Sequence, residues 1–426
     1  MKTLIVGLGK SGLAAYELLE REGGAVIGVD DNPMIMLKAG KKVDANPQIA
    51  EFDQVVISPG IPPTNRYYKE ALRLGKKVMG EVELAFSRLH QPAVAITGTN
   101  GKTTVTLLVE HVLKNCGRPA CALGNVGIPI SSHLKELQPN EIVVAELSSF
   151  QLETLTQLVF DAGVILNITP DHLDRYDSMV QYAKAKCQLQ KLIKQEGAFW
   201  VHQTVVDEYG ALLKPGFKTY GSNAKSDFWT DRYTLREGNK IVGELPMCYQ
   251  DAGLHESENV LAAYLICRTF GIESAPFMKA VASFKKPAHR IEFVASIGGV
   301  DYINDSKGTN IDATMKAVEM MTGPVILIAG GVDKGASYQP WISCFKGKVK
   351  HMIVIGQAAS KMEDQLAKEV QMIKVATLNE AVNFAKAEAK AGDKVLLSPG
   401  CSSYDMFRDY VHRGEEFKRI VKGEKG

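Results

Sequence analysis

Short apolar runs alternate with amphipathic stretches along the whole chain, and run after run ends in glycine or in polar residues. Residues 2–6 (KTLIV) read as a strand entering the turn GLGKSG at 7–12, followed by a helix through about Arg21. A second strand, AVIGV, leads to Asp30; VVISPGIPP (55–63) is a strand ending in a Pro/Gly turn, and VMGEVELAF (78–86) closes a first unit. From Ala93 the pattern AVAIT, GTNGKTT, VTLLVEHVLKN reads as strand, loop and helix. Strands IVVAE, ending at Glu146, and GVILN, ending at Asn167, follow, and 178–194 (SMVQYAKAKCQLQKLIK) has helical spacing. Less regular strands (FWVHQ, KIVGEL) lead to a helix beginning near Ser257. After KKPAHR (285–290), IEFVASIGGVDYIND predicts a hairpin about Gly298 and Gly299; then come a helix, strands VILIAGG, HMIVIG and MIKVA, another helix, and strand KVLLSPG.

Strands alternating with helices predict an α/β protein of three domains, each built on a mostly parallel sheet, with ligands gathered at the carboxyl ends of the strands. The irregular stretches at 89–91 and 285–290 set the boundaries 1–91, 92–286 and 287–426. The first and third domains read as Rossmann-like, the central one as a P-loop ATPase-like unit.

Composition adds mainly exclusions. The 426 residues are 45% hydrophobic and 23% charged, with net charge +2, which gives no bulk electrostatic case for nucleic acid or an anionic membrane. No apolar run approaches the roughly 18 residues of a membrane helix. The cysteines (116, 121, 187, 248, 267, 344, 401) lack CxxC spacing, so reduced thiols in a cytoplasmic protein are expected. Small-molecule partners and a monomer are the expectation.

The loop from Gly98 to Thr104 is the strongest chemical signal. Phosphates need backbone N–H donors and a cation, and a glycine-bearing loop feeding a helix N-terminus supplies them, with Lys102 as the charge and Thr103 placed for Mg²⁺. The usual pattern wants glycine at 96; Ile96 stands there, and the first loop glycine is Gly98. GLGKSG with Asp30 taken alone fits a nicotinamide-dependent dehydrogenase, but the same turn holds any nucleotide diphosphate, and a second phosphate loop follows it. Glu146 closes an apolar strand, as a second anchor for nucleotide-bound Mg²⁺ would or as a helix cap near Ser148. NITPDHLDRY (167–176) gathers Asp171, His172, Asp174 and Arg175 past a strand end; spacing singles out no lysine of 178–194. Lys307, Asp333, Lys334 and the CSSY turn (401–404) close later strands and favour a binding face.

TGTNGKTT, ELSSFQLE, NITPDHLDRY, QYAKAK, HR at 289–290, NDSKGTN and LLSPGCSSYDMF, in this order, resemble the Mur ligases over essentially the whole chain. The resemblance implies ATP-dependent addition of D-glutamate to UDP-MurNAc-L-Ala through an acyl phosphate. Another ligase of the superfamily, including the folate-extending kind, remains the alternative. By resemblance, Gly98, Thr99, Asn100, Gly101, Lys102, Thr103 and Thr104 would hold ATP, with Asn259, Arg290 and Asp305. Two Mg²⁺ ions would be served by Thr103, Glu146, His172 and Lys186, the last matching the family's carbamylated lysine. Lys10, Ser11, Asp30, Asp31, Asn32 and Gly60 match the UDP-binding turns, with Asn125 and His172 at the muramoyl end. Lys307, Thr309, Lys334, Ser403, Tyr404 and Tyr410 would hold D-glutamate. Lys102, Glu146, His172, Lys186 and Arg290 form the implied catalytic set. Glu256 stands where the family's HNxxN segment has asparagine, and Asp31 and Asn32 stand where close relatives often carry a hydroxyl and an arginine.

Overall fold

The computed structural model describes residues 1–250 and 253–424. Three sheets carry the fold. The first is wholly parallel, in the order β2-β1-β3-β4, from β1 (Lys2–Val6), β2 (Ala25–Val29), β3 (Gln54–Ile57) and β4 (Lys77–Gly80). Its central strands are buried on both faces, which explains why KTLIV and QVVI read as continuous apolar runs rather than alternations. Four strands fall short of a full six-stranded dinucleotide fold.

The second sheet holds β5 (Ala93–Thr97), β6 (Ala120–Gly124), β7 (Ile142–Glu146), β8 (Phe160–Ile165), β9 (Ile193–His202), β10 (Lys218–Gly221), β11 (Phe228–Thr230), β12 (Thr234–Glu237) and β13 (Lys240–Glu244). Their order is β13-β12-β11-β10-β9-β8-β5-β7-β6, parallel from β6 to β11 and antiparallel beyond. The third sheet has the order β14-β15-β19-β16-β17-β18, with β14 (Glu292–Ile297), β15 (Val300–Asn304), β16 (Val325–Gly330), β17 (Val349–Ile355), β18 (Met372–Lys374) and β19 (Lys394–Leu397). Only the β14–β15 hairpin in it is antiparallel. The hairpin turns on Gly298 (φ 60°) and Gly299 (φ 76°), the left-handed pair that a two-residue connection demands.

The chain folds into two compact units. One comprises Met1–Ile168 and Val180–Phe284 and contains the first two sheets; the other comprises Thr169–Met179 and the residues from Lys285 onward. Inside the first unit, buried acids of the helix Glu81–Phe86 join the two sheets. Glu81 accepts from the Ser131 N–H (2.8 Å) and hydroxyl (2.6 Å), Glu83 from the Thr156 N–H (3.0 Å) and hydroxyl (2.6 Å). Burial holds the Glu81 carboxyl above its ordinary pKa.

Two local expectations need correction. The helical spacing of 178–194 overruns the helix, which covers Met179–Cys187; Gln188–Leu192 tightens into a 3₁₀ turn and Ile193 already opens β9. The short run LIK satisfies either period, and sheet pairing decides it. The helix expected near Ser257 starts earlier, at Leu254. Strands β6 and β10 to β12 have no clear sequence signal: β6, β10 and β12 are short and rich in small or polar residues, and β11 has only three residues. All seven cysteines are free. Among the described residues, no helix is long and apolar enough to cross a membrane.

Candidate active site

In the first unit, the phosphate-loop geometry follows from two glycines. Gly98 (φ 153°) packs so closely that a Cβ would lie 2.9 Å from the Leu166 Cβ. Gly101 (φ 84°) caps the helix Lys102–Asn115, and a Cβ there would come within 2.5 Å of the Asn259 Oδ1. Asn259 therefore stands against the loop. Loop backbone is pinned by Asn167: the Thr99 N–H donates to its carbonyl (2.9 Å), the Asn100 N–H to its Oδ1 (2.8 Å), and its Nδ2 to the Asn100 carbonyl (3.0 Å). The Thr99 hydroxyl lies 3.1 Å from the Tyr182 hydroxyl. Lys102 donates to the carbonyls of Gly98 (2.9 Å) and Thr99 (2.7 Å), and Thr103 and Thr104 are buried in the first helical turn. A helix N-terminus and an ammonium at a glycine-bearing loop are the elements of an anion cradle.

Glu146 ends β7, which pairs directly with β5, the strand that enters the loop. It is 1% exposed. Oε1 accepts from the Asn125 Nδ2 (2.7 Å), while Oε2 is buried without a hydrogen-bond partner. The helix-cap alternative for Glu146 is excluded, because Ser148 caps Ser149–Leu152 itself in a capping box with Gln151. A buried carboxylate oxygen left unsatisfied costs about 1–3 kcal/mol. Lys186 is also 1% exposed; its ammonium donates to the Gly98 carbonyl (2.8 Å) and sits 4.6 Å from the Tyr182 ring centroid.

The first sheet presents a separate set at its strand ends. Asp30 accepts from the N–H groups of Leu8 (2.7 Å) and Asn32 (2.9 Å), tying the turn after β1 to the one after β2. Asn32 caps the following helix through Met34 N–H (3.0 Å), and Asp31 accepts from Asn65 Nδ2 (3.3 Å). Lys10 and Ser11 open the helix Lys10–Arg21, and Gly60 is exposed in the turn after β3.

In the second unit, Arg290 lies between two non-glycine residues of positive φ, His289 (64°) and Ile291 (48°). For a β-branched residue this is a true outlier of the kind that collects at functional sites. Asp305, at the end of β15, accepts from the Ser398 hydroxyl (2.7 Å) and the Ile291 N–H (3.3 Å). Lys307 places its ammonium 3.9 Å from the Tyr410 ring centroid. Lys334 donates to the Asp171 Oδ1 (3.0 Å), and Asn310 Nδ2 donates to the Asp171 Oδ2 (3.3 Å). His172 has φ 57° and its N–H donates to its neighbour Asp171 (2.9 Å). Ser403 is buried, Thr309 half-buried, and the Tyr404 ring is 74% exposed.

Two family models match: the Mur ligase middle domain over residues 96–267, and the Mur ligase glutamate ligase domain over 289–401. A UDP-N-acetylmuramoylalanine–D-glutamate ligase of Protochlamydia amoebophila is 47% identical over 99% of this chain and 98% of its own. This chain belongs to the Mur ligase family. A second such ligase, from Pelotomaculum thermopropionicum, is 38% identical over 99% of this chain and 97% of its own. Among solved structures, a UDP-N-acetylmuramate–alanine ligase of Thermotoga maritima shares the fold with TM-score 0.63 and 18% identity, covering 100% of both chains. A MurF ligase of the same organism in complex with ADP gives TM-score 0.58 at 15% identity, covering 88% of this chain and 97% of that one.

Several groups that shape this Mur ligase's sites escape sequence inspection. Asn167 and Tyr182 brace the phosphate loop, and only their proximity in space reveals it. Arg413, 1% exposed, donates to the Ser306 hydroxyl (2.9 Å) and carbonyl (2.8 Å) and to the Cys401 carbonyl (3.2 Å), locking the NDSKGTN turn to the CSSY turn. Asp333, expected on a binding face, accepts from Tyr338 Oη (2.9 Å) and Lys361 Nζ (2.8 Å) and so fixes the turn that carries Lys334.

Burial pushes the Asp305 carboxyl up to about 7, against the opposing pull of Ser398 and Arg290. An acid raised in the folded state holds its proton more tightly there, so its stabilising effect is full at low pH. That effect is lost as pH rises from about 4 toward 7. Asp305→Asn should flatten this fall: urea midpoints of the two proteins should diverge between about pH 4 and pH 7 in the variant's favour. A pH-independent difference would contradict the assignment.

Proposed function

We propose that this ligase joins D-glutamate to UDP-N-acetylmuramoyl-L-alanine while ATP is split to ADP and phosphate, in cytoplasmic peptidoglycan precursor synthesis. The observation carrying this is the 47% identity along the full length to a ligase so named. The phosphate cradle and the orphaned Glu146 oxygen supply the chemistry such a reaction needs. A carboxylate oxygen of the alanyl group attacks the γ-phosphorus and ADP departs, leaving an acyl phosphate. The D-glutamate amine then attacks the acyl carbon, loses a proton, and expels phosphate from the tetrahedral intermediate. Catalysis of this kind is chiefly positioning and neutralisation of developing charge. Lys102 and the loop amides hold the phosphates, Asn259 contacts the nucleotide, Arg290 reaches the γ-phosphoryl, and Asp305 binds the ribose.

The donor set fits Mg²⁺. Glu146 offers a buried carboxylate oxygen and Thr103 a hydroxyl, both hard oxygen ligands. Bound there, the ion would neutralise phosphate charge. Lys186 fits only when modified. Its ammonium and that of Lys102 both donate to the Gly98 carbonyl, which puts two like charges within about 6 Å. Addition of the neutral amine to CO₂, with loss of a proton, gives an N-carboxylate that turns this repulsion into attraction and supplies an oxygen ligand. His172 would serve a second ion.

We assign residues 1–91 to the UDP-substrate, with Lys10, Ser11, Asp30, Asp31, Asn32 and Gly60 at the diphosphate and uridine and Asn125 toward the muramoyl end. Residues 92–286 take ATP, and 287–426 take D-glutamate through Lys307, Thr309, Lys334, Ser403, Tyr404 and Tyr410. The enzyme acts as a monomer. Lys334→Ala should raise the KM for D-glutamate roughly 10- to 100-fold, the equivalent of about 1.5–3 kcal/mol for a charge-assisted hydrogen bond, and leave the KM for ATP unchanged. An equal rise in both would remove Lys334 from the amino-acid site. The overall assignment is tested by phosphate release with ATP, Mg²⁺ and UDP-MurNAc-L-Ala, scanned over amino acids. Turnover should require D-glutamate; turnover with L-alanine, a diamino acid or no amino acid would point to another ligase or a plain ATPase.

A further inference from the structure

One cavity of the first unit lies away from the phosphate loop. Its volume is about 570 Å³, within the ordinary range for small-molecule sites, and all of its lining belongs to the first unit. Lys218 and Phe228 are the first residues of β10 and β11, so the cavity opens at the amino ends of these parallel strands. The phosphate loop leaves the carboxyl end of the same sheet. Leu265, Arg268 and Thr269, at the far end of the helix Leu254–Arg268, close one wall. That helix meets the phosphate loop at Asn259, so about 14 Å of helix separates the two places.

The lining has a definite chemistry. Trp200, Phe217, Phe228 and Leu265 make up the apolar part of the lining. Two cations stand at its rim over one ring: the Lys218 ammonium is 5.7 Å and the Arg268 guanidinium 5.6 Å from the Phe228 centroid. One carboxylate, Glu237, answers them, accepting from Arg268 at 2.9 Å. Gly216, with φ 112°, borders the opening with no atom within 4 Å of where a Cβ would stand. An aromatic slot rimmed by an excess of positive charge selects a planar apolar body bearing one anionic group, and its volume is that of a small-molecule site.

We propose that this cavity is a second ligand site, for small flat aromatic anions, distinct from the sites at the carboxyl ends of the strands. The test titrates the full-length protein with 8-anilinonaphthalene-1-sulfonate, followed by fluorescence, in the presence of saturating ADP. One saturable site should remain that ADP does not displace. The surface double variant Lys218→Ala/Arg268→Ala should weaken it roughly tenfold at low salt. The neutral N-phenyl-1-naphthylamine should bind wild type and double variant alike, and Ala198→Phe, which fills the slot, should abolish both. Displacement by ADP, the absence of saturable binding, or sulfonate affinity unchanged in the double variant would overturn the proposal. The double variant decides the matter even if Ala198→Phe fails to fold.

Discussion

Lys186→Ala should lower kcat by roughly 10²–10³-fold, the range seen when one charge-stabilising group is removed from a preorganised site. The native side chain is fully enclosed, with its ammonium on the Gly98 carbonyl and above Tyr182. Truncation to alanine leaves room for a small carboxylate in the place of the N-carboxylate. Formate or acetate should therefore restore a measurable part of the lost rate, while chloride at equal ionic strength should not. Carbon-13 NMR of protein equilibrated with labelled CO₂ should show one carbamate signal that the variant lacks. Full activity in Lys186→Ala would take the residue out of the metal site, and rescue by any salt would show that only charge screening had been lost.

Glu146→Gln should be as damaging to turnover, roughly 10²–10³-fold, and yet should not destabilise the protein. The carboxylate has one oxygen on Asn125 and the other buried without a partner, an arrangement that weakens the fold by about 1–3 kcal/mol. The amide keeps the shape and the Asn125 contact while removing a buried charge. Such a pairing of lost activity with unchanged or higher Tm is the signature of a group retained for function at the expense of stability. The Mg²⁺ concentration for half-maximal rate should also rise. A variant that melts early with normal turnover would make Glu146 a structural residue instead.

The parts of the fold that were legible in the sequence were those in which a single local pattern decides the outcome. β1, β5, β7 and β16 are buried on both faces and read directly as apolar runs; Gly298 and Gly299 announce their hairpin; GTNGKTT announces its helix N-terminus. A pattern compatible with two structures does not decide between them: LIK fits a helix, yet Ile193 pairs with Phe160 in the sheet. Site residues divided in the same way. Lys102 and Thr103 belong to a contiguous motif, and Glu146 is conspicuous as an acid closing an apolar strand. By contrast Lys186 is one of several lysines on a helix, and the family resemblance, not spacing, singled it out. Asn167 and Tyr182 act on the loop from 67 and 83 positions away, and Arg413 on Ser306 from 107, which no local pattern encodes.

In the proposed reaction the γ-phosphoryl group passes through the alanyl carboxylate before the amide forms. UDP-MurNAc-L-Ala labelled with oxygen-18 in that carboxylate tests it most directly. Attack by the carboxylate and later cleavage of the carbon–oxygen bond should leave one labelled oxygen in each phosphate released with D-glutamate, seen by mass spectrometry or by the isotope shift in phosphorus-31 NMR. Unlabelled phosphate accompanying amide formation would contradict the acyl-phosphate route.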